Sequence, residues 1–134
     1  RSANADQGRP YKRGYYCSMN PQMMGPPVMG GVVGAMFSAL LRVDFETGAL
    51  IGYNLPPAHG MSETVHVEAS EPGHEGWLVA VVDNETGPDQ YEHAIWIWNA
   101  GNLPAGPVCK VPIPTRMRPQ VHGWWVPMKD YLAA

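Results

Sequence analysis

Glycine and proline recur too often along this sequence for long helices to form. The 134 residues include 15 glycines and 14 prolines. Inside a helix, glycine costs about 1 kcal/mol and proline about 3 kcal/mol relative to alanine, so this pattern favours short strands joined by turns. No amphipathic helical pattern longer than two turns is visible. The chain is therefore expected to be rich in β-structure.

Length and charge limit the possible classes of protein. A chain of 134 residues fits one domain or a piece of a larger one, and 45% hydrophobic residues exclude global disorder. The net charge of −3 and the pI of about 5.9 give no basic surface of the kind that nucleic-acid binding needs, so no nucleic-acid partner is expected.

Apolar and alternating runs predict seven strands. They are Tyr11–Met19, Phe37–Phe45, Ala49–Leu55, Glu63–Ser70, Gly76–Asn84, Tyr91–Asn99 and Val108–Ile113. The tripeptide at 46–48 predicts a hairpin turn, and residues 84–89 predict another turn. Residues 56–62 are predicted to form a loop, and residues 100–106 a single helical turn.

An apolar run from Met23 to Leu41 carries no charge over nineteen residues. Its length would suit a membrane span, but Pro26, Pro27 and four glycines would break a helix repeatedly. The run is predicted to be an apolar loop that leads into a strand. Membrane association is possible on this reading, but no Lys/Arg block supports it.

The hexapeptides VDFETG and VDNETG end at Gly48 and Gly87, 39 residues apart. A period near 40 with several strands in each unit is typical of propeller blades, although a common turn tripeptide can also recur by chance. The residues leave both explanations open.

Two cysteines, Cys17 and Cys109, form no metal-spaced pair. The first residues, starting at Arg1, include no apolar signal core. The expectation is a processed or cut piece of a cytoplasmic protein with two free, buried thiols, although the residue types alone do not exclude a disulfide.

Five histidines are the candidate metal ligands, and they form no complete local metal motif. His59 and His74 lie in predicted loops and are expected to be solvated. His66 and His93 are expected to lie on strand surfaces. His122 differs, because Gly123 allows close backbone approach and two tryptophans can exclude water. It is either a packed structural histidine, the commoner case, or a ligand whose second nitrogen faces a carboxylate.

Glu63 is the matching carboxylate. By strand parity it shares a face with Val65 and Val67, the face expected to be buried, where a lone carboxylate is costly. The alternative is a strand that starts at Thr64 and leaves Glu63 in solvent. The remaining carboxylates near turns are predicted to be solvated, and three strand tryptophans are predicted to be core or sheet surface rather than a ligand cage. These residues are Asp44, Glu46, Asp83, Glu85, Trp77, Trp96 and Trp98.

The chain resembles the C-terminal part of the carotenoid cleavage oxygenase family, and within it the lignostilbene dioxygenase branch. The segments that carry the resemblance are FSALLRVDFETG, SETVHVEAS, GWLVAVVDNETG, AGNLPAGPVCKVPIPTRM and VHGWWVP, between about Tyr11 and Val126. The terminal VHGWWV resembles the family signature FHGxWV. Thr64 and His66 depart from the proline and phenylalanine of the family's GEPVFV segment, Val121 stands where an aromatic residue is common, and the Met/Gly/Pro-rich insertion at 23–36 is unusual.

This resemblance implies an all-β fold in which residues 1–134 form the C-terminal blades of a seven-bladed antiparallel β-propeller, with the N-terminal portion absent. It implies a mononuclear Fe(II) held by four histidines, of which His122 matches the last, and an orienting role for Glu63. The other three ligands are expected upstream.

The implied function is oxidative cleavage of a C=C bond by O2, in a carotenoid, apocarotenoid or stilbene-type alkene, to two carbonyl products. The chain alone is expected to be inactive and to need the N-terminal part of the propeller as its partner. The alternative is a non-catalytic β-propeller piece that acts as a structural or binding module.

Overall fold

The computed structural model describes residues 8, 10–118 and 120–133 and is built from antiparallel strands with little helix. The strands are β1 (Arg13–Ser18), β2 (Ala39–Asp44), β3 (Leu50–Asn54), β4 (His59–Met61), β5 (Val65–Val67), β6 (Trp77–Gly87), β7 (Gln90–Asn99) and β8 (Pro107–Ile113). Short 3-10 helices span Gly31–Val33 and Leu103–Ala105, and one α-helix, α1, spans Met128–Tyr131. The expected all-β class is confirmed.

The first sheet has the order β1-β2-β3. The predicted hairpin between β2 and β3 is confirmed, because Asp44 accepts hydrogen bonds from the backbone N–H groups of Glu46 and Thr47 in the turn. Gly48 closes this turn with a φ of 73°, a conformation that glycine adopts at little cost.

The second sheet has the order β4-β6-β7-β8, and β5 pairs with β6 beside β4. The long β6–β7 hairpin turns at Pro88 and Asp89, and Asp89 adopts a φ of 56°. The turn predicted over residues 84–89 was therefore placed too early. Residues 84–87 continue β6 because Asn84 and Glu85 still pair with Glu92 and Tyr91 of β7.

Two further predictions in this sheet were wrong. The loop predicted at 56–62 contains β4, because His59–Met61 pairs with Asn84–Val82. The strand predicted at Glu63–Ser70 forms only over Val65–Val67 and shows the opposite parity, since Thr64 and His66 are buried. Side chains of the first sheet contact this face, as the 3.6 Å contact between Cys17 Sγ and Thr64 Oγ1 shows.

The core lies between the two sheets. Trp98, Leu103 and Leu40 are fully buried, and Trp96, predicted to be core or sheet surface, is buried at 4% exposure. The predicted helical turn is confirmed as the 3-10 helix that places Leu103 in this core. A two-way backbone bridge between Phe37 and Met61 also connects the sheets, with N···O distances of 2.9 and 2.8 Å.

The apolar run from Met23 to Leu41 forms the predicted loop before it enters β2. Val28 and Met36 anchor it in the interior, whereas Met24 and Met29 are exposed. Within the described part of the chain, no helix is both long and apolar enough to cross a bilayer.

The two related hexapeptides occupy different structures. The first ETG forms the β2–β3 turn, whereas the second lies inside β6, beside an irregularity between Glu85 and Gly87. The cysteines are free, as expected, but neither is fully buried. Cys17 is half-buried, and Cys109 is exposed because it lies on the edge strand β8.

Candidate functional site

His122 and Glu63 meet although 59 residues separate them in sequence. The distance from His122 Nδ1 to Glu63 Oε2 is 2.7 Å. A carboxylate can only accept at that position, so Nδ1 carries the proton and donates it. In the neutral ring, Nε2 then keeps its lone pair, which is the form of imidazole that binds a metal ion.

The segments that carry this pair are held together by close backbone packing. Glu63 lies two residues before β5, and its side chain is only 21% exposed. Gly123 lies against Val65 of β5, where a Cβ atom would come within 2.8 Å of a valine methyl group. Only glycine therefore allows the chain at 122–123 to approach β5 this closely.

The imidazole itself faces outward. The side chain of His122 is 80% exposed, and Trp124 and Trp125 are 70% and 47% exposed. The expectation that these tryptophans exclude water from His122 is wrong for the described chain, because residues 122–126 form no strand that would align them over the ring.

Two cavities flank the pair. The larger, of about 400 Å³, is bounded by Tyr16, Phe37 and Val121 together with His122 and Glu63. Burial, and secondarily a hydrogen bond with Tyr11, raises the pKa of the Tyr16 hydroxyl, so Tyr16 is neutral at pH 7. The wall beside His122 is thus mainly aromatic and aliphatic and carries no charge apart from the pair itself.

The smaller cavity, of about 180 Å³, lies on the other side of His122. It is lined by apolar residues of β5, β6 and β7 and by the tryptophans after His122, namely Val65, Val79, Val81, Ile95, Trp124 and Trp125. The imidazole therefore lies between two apolar recesses, an arrangement suited to an apolar ligand.

His66 and His93, predicted to be surface residues, are buried at 7% and 8% exposure. His66 Nε2 donates to the carbonyl oxygen of Glu75 at 2.8 Å, and the ring stacks on Tyr15. His93 Nδ1 donates to Asp83 at 2.6 Å, so the prediction that Asp83 is solvated is also wrong. Both imidazoles are buried because these partners satisfy one nitrogen of each ring.

His59 and His74, predicted to be solvated, are half-buried. His59 Nδ1 donates to the carbonyl oxygen of Pro57, while its ring lies against Trp96. His74 Nδ1 accepts from the N–H of Gly76, and its ring contacts Trp77. Both therefore have structural partners, and neither forms a hydrogen bond with His122 among the described residues.

Among the described residues, no three His, Cys, Asp or Glu side chains lie close enough to hold a metal ion together. His122 therefore has no second His, Cys, Asp or Glu beside Glu63 with which it could hold a metal ion within the described residues.

A model of the RPE65 family, described as retinal pigment epithelial membrane protein, matches residues 1–127. The chain belongs to this family of carotenoid cleavage oxygenases. Lignostilbene-alpha,beta-dioxygenase isozyme III of Sphingomonas paucimobilis is 28% identical over 120 residues, which are 88% of this chain and 24% of that protein.

Solved structures of the family share this fold. Lignostilbene dioxygenase of Pseudomonas brassicacearum superimposes with a TM-score of 0.73 at 22% identity, over 90% of this chain and 25% of that one. A mutant of the Synechocystis apocarotenoid oxygenase (ACO) gives a TM-score of 0.67 at 21% identity, over 89% of this chain and 23% of that one. The predicted β-propeller architecture is confirmed. The chain spans about a quarter of the length of these relatives.

The Asp83–His93 pair was missed at the level of sequence, although a signal existed. A hairpin that turns at Pro88 and Asp89 pairs residues whose numbers sum to about 176, and 83 and 93 satisfy this condition. The turn predicted over residues 84–89 lies too early in the sequence to give this pairing.

Proposed function

We propose that the protein containing this chain uses O2 to cleave a C=C bond of an apolar alkene, with Fe(II) as its metal and His122 as one metal ligand. Membership of the carotenoid cleavage oxygenase family supports the reaction class, since the matching relatives are dioxygenases by name. Both atoms of O2 enter the two carbonyl products, so no external reductant is required.

The observation that carries this proposal is the 2.7 Å hydrogen bond from His122 to Glu63. A carboxylate on Nδ1 fixes the orientation and tautomer of an imidazole and increases the electron density at Nε2. An exposed surface histidine has no need of such a fixed partner, because water satisfies both its nitrogens.

The donor chemistry of the site fits Fe(II). Neutral imidazole is a suitable ligand for iron, and His122 presents its Nε2 without competition from the carboxylate. One of the matching structures is a cobalt-substituted form of Synechocystis ACO, with a TM-score of 0.68. We propose that the remaining three histidine ligands come from the N-terminal portion of the propeller, beyond the quarter of the relatives that this chain spans.

Bound Fe(II) would supply the redox-active centre that reduction of O2 requires. In this proposal Glu63 acts through His122 alone, by holding the proton at Nδ1 and keeping the ring from rotating. Gly123 keeps the chain close to β5, so that His122 and Glu63 stay within hydrogen-bond distance.

The residues around the pair favour an apolar substrate. Phe37, Tyr16 and Val121 form a neutral wall beside His122 and exclude water when a hydrocarbon covers them. A carotenoid, apocarotenoid or stilbene-type alkene meets this requirement.

Two free cysteines fit a reducing compartment, and we place the protein in the cytoplasm.

Metal analysis of the protein, purified as its gene encodes it, tests the proposal. We expect about one iron per chain in the wild type and loss of most of it in His122→Ala. In Glu63→Gln we expect iron affinity to fall by about 10–100-fold, since an amide orients the ring less well than a carboxylate. Oxidative cleavage of a stilbene or apocarotenoid should fall in parallel.

His59→Ala is the matched control, because His59 also donates a hydrogen bond through Nδ1 but has different partners, the carbonyl oxygen of Pro57 and the ring of Trp96. It should keep wild-type iron content. Full iron occupancy in His122→Ala would remove His122 from the ligand set. Absence of iron and of cleavage activity in the wild type would favour the alternative of a non-catalytic propeller module.

A further inference from the structure

His93 is a second imidazole whose Nδ1 faces a carboxylate, and it differs from His122 in being buried. Its side chain is 6% exposed, that of Asp83 is 7% exposed, and the Nδ1–Oδ1 distance is 2.6 Å. Because Nδ1 donates to Asp83, Nε2 of the neutral ring carries a lone pair. Within the described residues, this buried Nε2 has no hydrogen-bond partner. Buried polar atoms generally have a hydrogen-bond partner or bind a water or an ion, so this nitrogen is available to a ligand.

A cavity of about 200 Å³ lies beside His93. Two methionines, Met29 and Met117, line it together with His93, Asp83 and Arg116. Asp89 and Tyr91 complete the wall that bears polar groups. The lining of this cavity therefore includes two methionines and His93, whose Nε2 has no hydrogen-bond partner among the described residues.

Backbone hydrogen bonds within the Met/Gly/Pro-rich loop, residues 23–36, position Met29 at this cavity. Met29 and Ala35 form an antiparallel bridge, and Met36 N donates to Val28 O at 2.9 Å. Val28 and Met36 are 2% and 5% exposed, so they anchor the two arms of the loop. Between them lies the 3-10 helix Gly31–Val33, and Met29, next to the buried Val28, is 51% exposed and lines the cavity. This loop is the insertion that the proposed oxygenase function leaves unexplained.

We propose that His93, Met29 and Met117 bind a soft monovalent cation of the Cu(I) class. Thioether sulfur is a soft ligand that favours Cu(I), and imidazole is a good ligand for copper. Asp83 fixes the ring of His93 in the way that carboxylates support metal-bound histidines. Asp83, Asp89 and Arg116 together give the cavity wall one net negative charge, which favours a cation.

The same donor set disfavours harder cations. Ca²⁺ and Mg²⁺ need several oxygen ligands, and Zn²⁺ sites are built from cysteine, histidine and carboxylate. No three such side chains cluster in the described ranges 10–118 and 120–133. Methionine is what distinguishes this cavity, and it selects for a soft ion.

The test is an anaerobic competition titration of Cu(I) against the chelator bicinchoninate, on the protein as its gene encodes it. We expect one Cu(I) per chain. Met29→Leu and Met117→Leu should each weaken Cu(I) binding at least tenfold, because leucine keeps the volume of methionine and removes the sulfur. X-ray absorption on the Cu(I) form should show sulfur scatterers in the wild type and their loss in the double variant.

Met24→Leu is the matched control, since Met24 belongs to the same loop but is 83% exposed and does not line the cavity. It should bind Cu(I) as the wild type does. Equal affinity in Met24→Leu, Met29→Leu and Met117→Leu would overturn the proposal, as would Zn²⁺ binding at this cavity as tightly as Cu(I).

His122→Ala separates this site from the proposed iron centre. Cu(I) binding should be unchanged in that variant, and loss of binding would mean that the cation lies at His122 instead. Asp83→Asn should lower Cu(I) affinity by about 10–100-fold if Asp83 orients the ring, and an unchanged affinity in a folded variant would also contradict the proposal.

Discussion

Arg42 and Glu75 join the two sheets through two hydrogen bonds of equal length. Arg42 Nε donates to Oε2 and Nη2 to Oε1, each at 2.9 Å, and Arg13 reaches Oε1 at 3.2 Å. The side chains of Arg42 and Glu75 are 12% and 21% exposed. Arg42 lies in β2 of the first sheet and Glu75 lies just before β6 of the second. This bidentate ion pair therefore helps to fix the relative position of the two sheets.

Glu75→Gln should destabilise the protein by about 1.5–3 kcal/mol, because a neutral amide cannot accept both guanidinium bonds and leaves Arg42 partly buried without its counter-charge. The midpoint of urea unfolding measures this change. Glu46→Gln is the control, since the Lys12–Glu46 pair is 3.0 Å long but 68% and 59% exposed, and its loss should cost less than about 1 kcal/mol. Equal losses of unfolding free energy in the two variants would show that the Arg42–Glu75 pair stabilises the protein no more than an exposed ion pair does.

Gly123→Ala should lower iron occupancy several-fold while leaving global stability nearly unchanged. The added methyl group would come within 2.8 Å of a Val65 methyl group and push the chain that carries His122 away from β5. Iron content and the unfolding midpoint, measured on the same preparations, separate the two effects.

The rescue variant is Gly123→Ala combined with Val65→Ala, which removes the clashing methyl group. Iron occupancy should return towards the wild-type level. If the double variant stays as low as Gly123→Ala alone, close approach to Val65 is not what positions His122.

Strands and turns were predictable where local chemistry decides them. The β2–β3 turn follows from Asp44, Thr47 and Gly48, and the apolar β6 follows from its own composition. The strand β4 was missed because three residues, His59 to Met61, carry no alternating pattern, and only pairing with β6 makes them a strand. Tertiary pairing of this kind is not encoded locally.

The candidate site was predictable only as separate residues. The neighbours of His122 in sequence mark it as a candidate, and Glu63 is marked by its strand position and by the family resemblance. The contact between the two residues spans 59 positions and depends on how the strands pack, which the sequence does not show. His66 was misjudged because Thr64 and His66, rather than Val65, face the first sheet. A polar residue becomes buried when a distant partner satisfies it, here the carbonyl oxygen of Glu75, and sequence parity cannot show that partner.

His66→Phe should change stability by less than about 1 kcal/mol. The phenyl ring keeps the stacking on Tyr15. The hydrogen bond to the carbonyl oxygen of Glu75 is lost, but so is the buried Nδ1, which has no partner among the residues that the structure describes. His66→Ala, in contrast, loses the ring and should cost about 2 kcal/mol or more. Urea unfolding of the two variants distinguishes them, and a large loss of stability in His66→Phe would show that the hydrogen bonds of the imidazole outweigh the gain from removing Nδ1.

The turn after β2 should make stability depend on pH through Asp44. Hydrogen bonds from the backbone and side chain of Thr47, at 2.9 and 3.0 Å, hold the pKa of Asp44 below its usual 3.8. Since the folded pKa is depressed, the stabilisation is present above pH 3.8 and is lost as pH falls through the lower folded value. NMR titration of the Asp44 carboxyl carbon measures the pKa directly.

Thr47→Val removes the hydroxyl but keeps the backbone N–H, so the pKa of Asp44 should rise only part of the way towards 3.8. Asp44→Asn should remove this contribution to the acid dependence of urea unfolding, and an unchanged Asp44 pKa in Thr47→Val would show that the hydroxyl makes no contribution.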